Sequence, residues 1–99
     1  MKVIFTPLAE RQIGDLHRYI TEASGFETGA DRYIVRIVEY CLGLELFPER
    51  GRLRDDLLPG LRTIGFERRV TIAYLVMNDT LLIEGIYYGG QDIDGAYSD

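Results

Sequence analysis

Six arginines crowd one twenty-residue span of this chain: Arg50, Arg52, Arg54, Arg62, Arg68 and Arg69. A guanidinium is a planar fork of donors that pairs bidentately with carboxylates and packs well in interfaces. The belt therefore reads as a docking face for an acidic partner, and equally as a solvated charged loop beside a sheet. Tyr74, Tyr87 and Tyr88 follow on alternating runs, so some of them must face outward. Tyrosines beside arginines are the material of interface hot spots. Each is balanced between core and interface. The binding set that emerges is Arg50, Arg52, Arg62, Arg68, Arg69, Tyr74 and Tyr88.

The other reactive groups make weaker cases. His17, the only histidine, falls between Ile13 and Ile20 and reads as a boundary or surface residue rather than a general base. Cys41, the only cysteine, has Ile37, Val38 and Leu44 around it in helical spacing, the setting of a buried, inert thiol. Asp55-Asp56 and Asp92-x-Asp94 lack a histidine or third carboxylate at ligand spacing, so they read as solvated loop carboxylates. Gly89-Gly90 is not followed by a helical pattern, as a phosphate cradle would be. The expectation is no catalytic group, no metal site and no cofactor.

Composition narrows the class further. Ninety-nine residues, 46% apolar and 27% charged, suit one globular domain, 1–99, with one core. No apolar run reaches the ~20 residues of a membrane helix, and the N-terminus lacks a signal-peptide core. A lone cysteine gives no reason for an oxidising compartment, so a cytoplasmic protein is expected. The net charge of −5 argues against a protein living on phosphate backbones. The charge is also polarised: no Lys or Arg follows Arg69, whereas Asp79, Glu84, Asp92, Asp94 and Asp99 do.

The elements that must position these groups are legible in the pattern. Lys2 to Phe5 is a short strand, ended by Thr6 as N-cap and Pro7 at the first helical position. Leu8, Ile13, Leu16, Ile20 and Ala23 then recur at helical spacing as far as Ser24-Gly25. Thr28 with Asp31 resembles a capping box for a second helix. Its stripe is Ala30, Tyr33, Ile34, Ile37, Val38, Cys41, Leu42 and Leu44, ending at Phe47-Pro48. The short connection favours an antiparallel hairpin. Pro48 to Pro59 reads as a loop. Three period-two runs follow, within 61–66, 69–76 and 81–88, separated by turn residues as in an antiparallel meander. Gly85 inside the last run predicts a bulge, or a close backbone approach. The tail 93–99 is expected to fray. The order β-α-α-β-β-β specifies an α+β fold with the helix hairpin packed on an antiparallel sheet.

That layout resembles the RelE/ParE superfamily of toxins, and its ParE branch in particular. The residues that carry the likeness are Leu58-Pro59-Gly60-Leu61-Arg62, Phe66-Glu67-Arg68-Arg69 and Ile86-Tyr87-Tyr88-Gly89-Gly90-Gln91-Asp92, with the helix exit Leu46-Phe47-Pro48-Glu49-Arg50-Gly51. The resemblance covers Ile4 to Asp92. It implies a type II toxin neutralised by a cognate antitoxin, ParD-like with a ribbon-helix-helix N-terminal domain. RelE-like members cut mRNA on the ribosome, and ParE-like members are associated with poisoning DNA gyrase. Metal-free RNA cleavage needs a base, an acid and cations for the phosphate. The last thirty residues include Tyr87, Tyr88 and Tyr97 but no Arg, Lys or His. The gyrase-directed reading, by protein contact and without nucleic-acid binding except through the antitoxin, is therefore preferred. A ribonuclease relying on Arg62, Arg69 and Tyr88 is the alternative, and a non-toxic antitoxin-binding module is a third.

Overall fold

The computed structural model describes residues 1–98; Asp99, the last of the acidic residues named above, lies outside the described residues. The first helix, α1 (Pro7–Ser24), starts as the sequence dictates. The Thr6 side chain accepts from the Ala9 N–H at 3.0 Å. It also donates to the Glu84 carbonyl at 2.9 Å, so one threonine both caps the helix and ties it to the last strand. Gly25 closes α1 in the left-handed conformation, φ 78°.

The second helix, α2, runs Glu27–Gly43. Its cap differs from the expected one: Phe26 holds the N-cap position with no side-chain bond, and Thr28 lies inside the helix. The left-handed Gly25 turns the chain so sharply that α2 begins before Thr28 can act, and Glu27 meets the positive end of the dipole. The last turn tightens into a 3-10 segment, Leu44–Leu46, short of the predicted end at Phe47. Leu16 on α1 and Ala30, Ile37 and Cys41 on α2 are buried, whereas Leu8 and Leu42 lie at the exposed margins of their stripes.

Five strands form one sheet: β1 (Lys2–Phe5), β2 (Arg52–Leu53), β3 (Arg62–Phe66), β4 (Val70–Met77) and β5 (Thr80–Tyr88), in the order β1-β5-β4-β3-β2. β3, β4 and β5 make the expected antiparallel meander. β1 runs parallel to β5, from Lys2 opposite Thr80 to Phe5 opposite Ile83, so the sheet is mixed rather than wholly antiparallel. β2 is an edge strand inside the segment read as a loop. Two residues are too few to show alternation.

The pairing jumps from Ala73–Gly85 to Tyr74–Ile83, leaving Glu84 as an extra residue in β5, the bulge predicted at Gly85. It switches the parity of the strand. Leu81 and Ile83 before it and Ile86 and Tyr88 after it all join the core beneath the helices. Ala73, Leu61 and Tyr87 face the other way, into a second cluster with Leu57, Leu58, Leu75, Ile93 and Tyr97.

That second cluster overturns the frayed tail. Residues Ile93–Ala96 form a short helix, α3, whose N-cap Asp92 accepts from the Gly95 N–H at 3.0 Å. Ile93 and Tyr97 bury against the sheet, and burial pushes the Tyr97 phenol well above its ordinary range. Arg54 fastens the arrangement, reaching Asp56 at 2.8 Å and Asp94 at 3.2 Å. Both carboxylates stay solvent-exposed, as expected, and also engage the arginine.

Cys41 is fully buried, and burial pushes its thiol up to about 12. It should resist a thiol-specific reagent at about pH 8 and react stoichiometrically once urea unfolds the chain. Rapid labelling of the folded protein would contradict the buried placement.

Candidate functional site

The arginine belt does not fold into one patch. β3 separates its two ends: from Arg62 to Phe66 is four residues, about 13 Å of extended strand. Arg50, Arg52 and Arg62 lie at one end, Arg68 and Arg69 in the hairpin turn at the other, and Arg54 is occupied by Asp56 and Asp94.

At the first end, Tyr74 is completely buried, so it is a strut and not a contact. Its hydroxyl meets the Pro48 carbonyl at 3.1 Å and also the Arg50 carbonyl. Burial raises its phenol pKa, against the opposing pull of Arg62 and Arg50. Arg62 donates to the Glu49 carbonyl at 2.8 Å, and Arg50 covers the Phe47 ring with 5.3 Å to the centroid. The segment from 46 to 53 is thereby held in place while its large side chains stay in solvent: Leu46 is 72% exposed, Phe47 62% and Leu53 47%. These apolar residues were missed in the sequence because Leu46 and Phe47 read as the end of a helical stripe. The signal was their position beyond Leu44, next to Pro48.

At the other end, Glu67 and Arg68 adopt left-handed φ values of 48° and 65° in the turn. Arg36 of α2 grips Glu67 through two bonds, at 2.9 and 3.0 Å, and lies over the Tyr33 ring. Arg69 and Tyr88 come together in a cleft of 370 Å³ lined also by Ile20, Tyr33 and Glu67. A second cleft, of 440 Å³, opens between α1 and the end of β5, with Tyr19 tilted against Tyr88 at 5.6 Å. Tyr88 is shared by both. Arg62 joins neither.

The Arg36 hydrogen bonds hold the Glu67 carboxyl below its usual range. A depressed folded pKa stabilises the fold above the unfolded value of about 4.3, and the benefit fades as pH falls through the lower folded value. The thermal midpoint should therefore fall more steeply below about pH 4 for the native chain than for Arg36→Ala. Identical acid profiles for the two would show that the pair contributes nothing.

A family model described as the ParE toxin of type II toxin-antitoxin system, parDE, matches residues 3–93. The chain belongs to the ParE toxin family. The matched span takes in both arginine groups and the exposed Leu46-Phe47 corner, and it ends one residue before Asp94 closes the Arg54 clamp. Among solved structures, a chain described as the chromosomal ParDE TA system from P. aeruginosa superposes with a TM-score of 0.78 at 22% identity. The match covers 90% of this chain and 96% of that one. At this identity the likeness speaks for the fold, and the ParE fold is what it supports. No curated protein matches. No helix among the described residues of this ParE family member is long and apolar enough to cross a membrane.

Proposed function

We propose that this ParE family toxin inhibits DNA gyrase by protein–protein contact in the cytoplasm and is held inactive by a cognate antitoxin. The antitoxin is ParD-like, with a ribbon-helix-helix N-terminal domain and an extended or helical tail laid across the sheet and helix groove. One observation supports contact over cleavage: Arg62 is separated by the length of β3 from Arg69 and Tyr88. A metal-free phosphodiester cleavage needs its base, acid and cations around one phosphate. The contact surface is the Leu46, Phe47 and Leu53 corner with Arg50 and Arg52, an apolar and arginine composition suited to a hot spot. Arg68 and Arg69 form a second, separate contact. Tyr74 serves by bracing the corner.

A second reading has a specific observation in its favour: Arg69 and Tyr88 do line one cleft. The deciding assay is DNA gyrase supercoiling with antitoxin-free protein, read on gels for linearised plasmid. Lost supercoiling or accumulated cleaved plasmid, relieved by Phe47→Ala with Arg50→Ala, is the expected result. Unaffected gyrase together with ribosome-dependent mRNA cleavage that disappears in Arg69→Ala and Tyr88→Phe would replace this reading with the ribonuclease. Silence in both assays would leave a non-toxic antitoxin-binding module.

A further inference from the structure

The turn of the helix hairpin gathers three metal-binding side chains outside the surfaces described above. His17 lies on α1, and Glu27 and Asp31 lie four residues apart on the first turns of α2, where that spacing puts them on one helix face. Their nearest donor atoms all fall within 4.8 Å of one another. His17 Nε2 already meets Asp31 Oδ1 at 2.6 Å. We propose that His17, Glu27 and Asp31 form a binding site for Zn²⁺ that staples α1 to α2.

The charge arrangement points to a cation. Among the described residues no lysine or arginine pairs with Glu27 or Asp31, and the only ion-pair partner of Asp31 is His17. Two carboxylates thus converge with only an imidazole between the helices. The donor set decides which cation. Mg²⁺ and Ca²⁺ take all-oxygen shells of six or more ligands, while one imidazole with two carboxylates suits Zn²⁺, whose fourth position is left to water.

The geometry is within reach of ordinary side-chain motion. Tetrahedral Zn²⁺ with ligands at about 2.0–2.2 Å sets its donors about 3.4 Å apart, so the His17–Asp31 contact opens by about 0.8 Å and Glu27 swings in. All three side chains are at least partly solvent-accessible, while the backbones beneath them are held by the buried Leu16, Ala30 and Ile37. Sequence reading missed the site because His17 and Glu27 are ten positions apart and meet only when the hairpin closes.

The test uses the full chain, free of tag, antitoxin and metal, titrated with ZnCl₂ by calorimetry at about pH 7.5. The expected result is one zinc per chain, a thermal midpoint that rises with zinc and returns with EDTA, and no comparable effect of MgCl₂. His17→Ala, Glu27→Gln and Asp31→Asn should each weaken zinc binding at least about tenfold, with unchanged circular dichroism. Cys41→Ser should leave it intact, since the thiol is buried. Absence of saturable zinc binding overturns the proposal. So does zinc binding that survives His17→Ala or Glu27→Gln, and in that case the carboxylates serve only to complement the α2 dipole.

Discussion

Tyr74→Ala should lower the unfolding free energy by about 3–5 kcal/mol, the cost of removing a buried aromatic side chain from a packed core. Tyr74 is completely buried among Ile72, Ile83 and their neighbours under the helices. Tyr74→Phe separates its two roles. The ring stays, but the Pro48 and Arg50 carbonyls lose their shared hydroxyl, which costs about 1–3 kcal/mol where they remain shielded from water. Urea unfolding measures both substitutions. The phenylalanine variant should also raise proteolytic cleavage within residues 46–53, because the hydroxyl is what ties that segment to β4. A Tyr74→Phe protein with native stability and native cleavage would show that Arg62 and the β2–β3 pairing hold the corner without the hydroxyl.

Gly51→Ala should be nearly as damaging for a different reason. Gly51 has φ +87°, where an L-residue is strained by roughly 1–2 kcal/mol. A Cβ there would stand 2.7 Å from the Thr63 carbonyl oxygen and 3.2 Å from Ile64 Cβ, contacts with backbone and strand that cannot swing aside. Overpacking of this kind typically costs about 1–3 kcal/mol more. The cheapest relief is for β2 to leave β3. Amide exchange at Arg52 and Leu53 should then accelerate well beyond exchange at β4, and the corner proposed as the contact surface should lose its order with its edge strand. Unchanged exchange at β2 would mean that the turn relaxes elsewhere.

Local chemistry carried most of the fold in the sequence. Thr6-Pro7 specified a helix start within one turn, and alternation specified β3, β4 and β5, because each signal concerns neighbours a few residues apart. Gly85 announced the bulge for the same reason. What the sequence concealed is non-local. The parallel placement of β1 depends on Lys2 meeting Thr80. The order in 93–98 depends on Arg54 reaching Asp94, forty positions away, although the Asp92 cap was a readable hint. The candidate surface followed the same rule. The arginines were visible as a belt in sequence, but a strand between Arg62 and Phe66 split them in space, and burial turned Tyr74 from contact into strut.

The pairing of β1 with β5 also governs how the chain comes to exist. Lys2 through Phe5 find their partners only at Thr80 through Ile83, so the sheet closes across nearly the whole sequence. Contacts of such long sequence separation slow folding, since loop-closure entropy is lost before pairing returns anything. On a translating ribosome the helix hairpin emerges first, with no sheet to cover. Its core partners Leu81, Ile83 and Ile86 are made last. No nascent chain short of β5 can close this sheet. Closure of the sheet, and with it the covering of the helix hairpin, therefore waits on synthesis of the last strand.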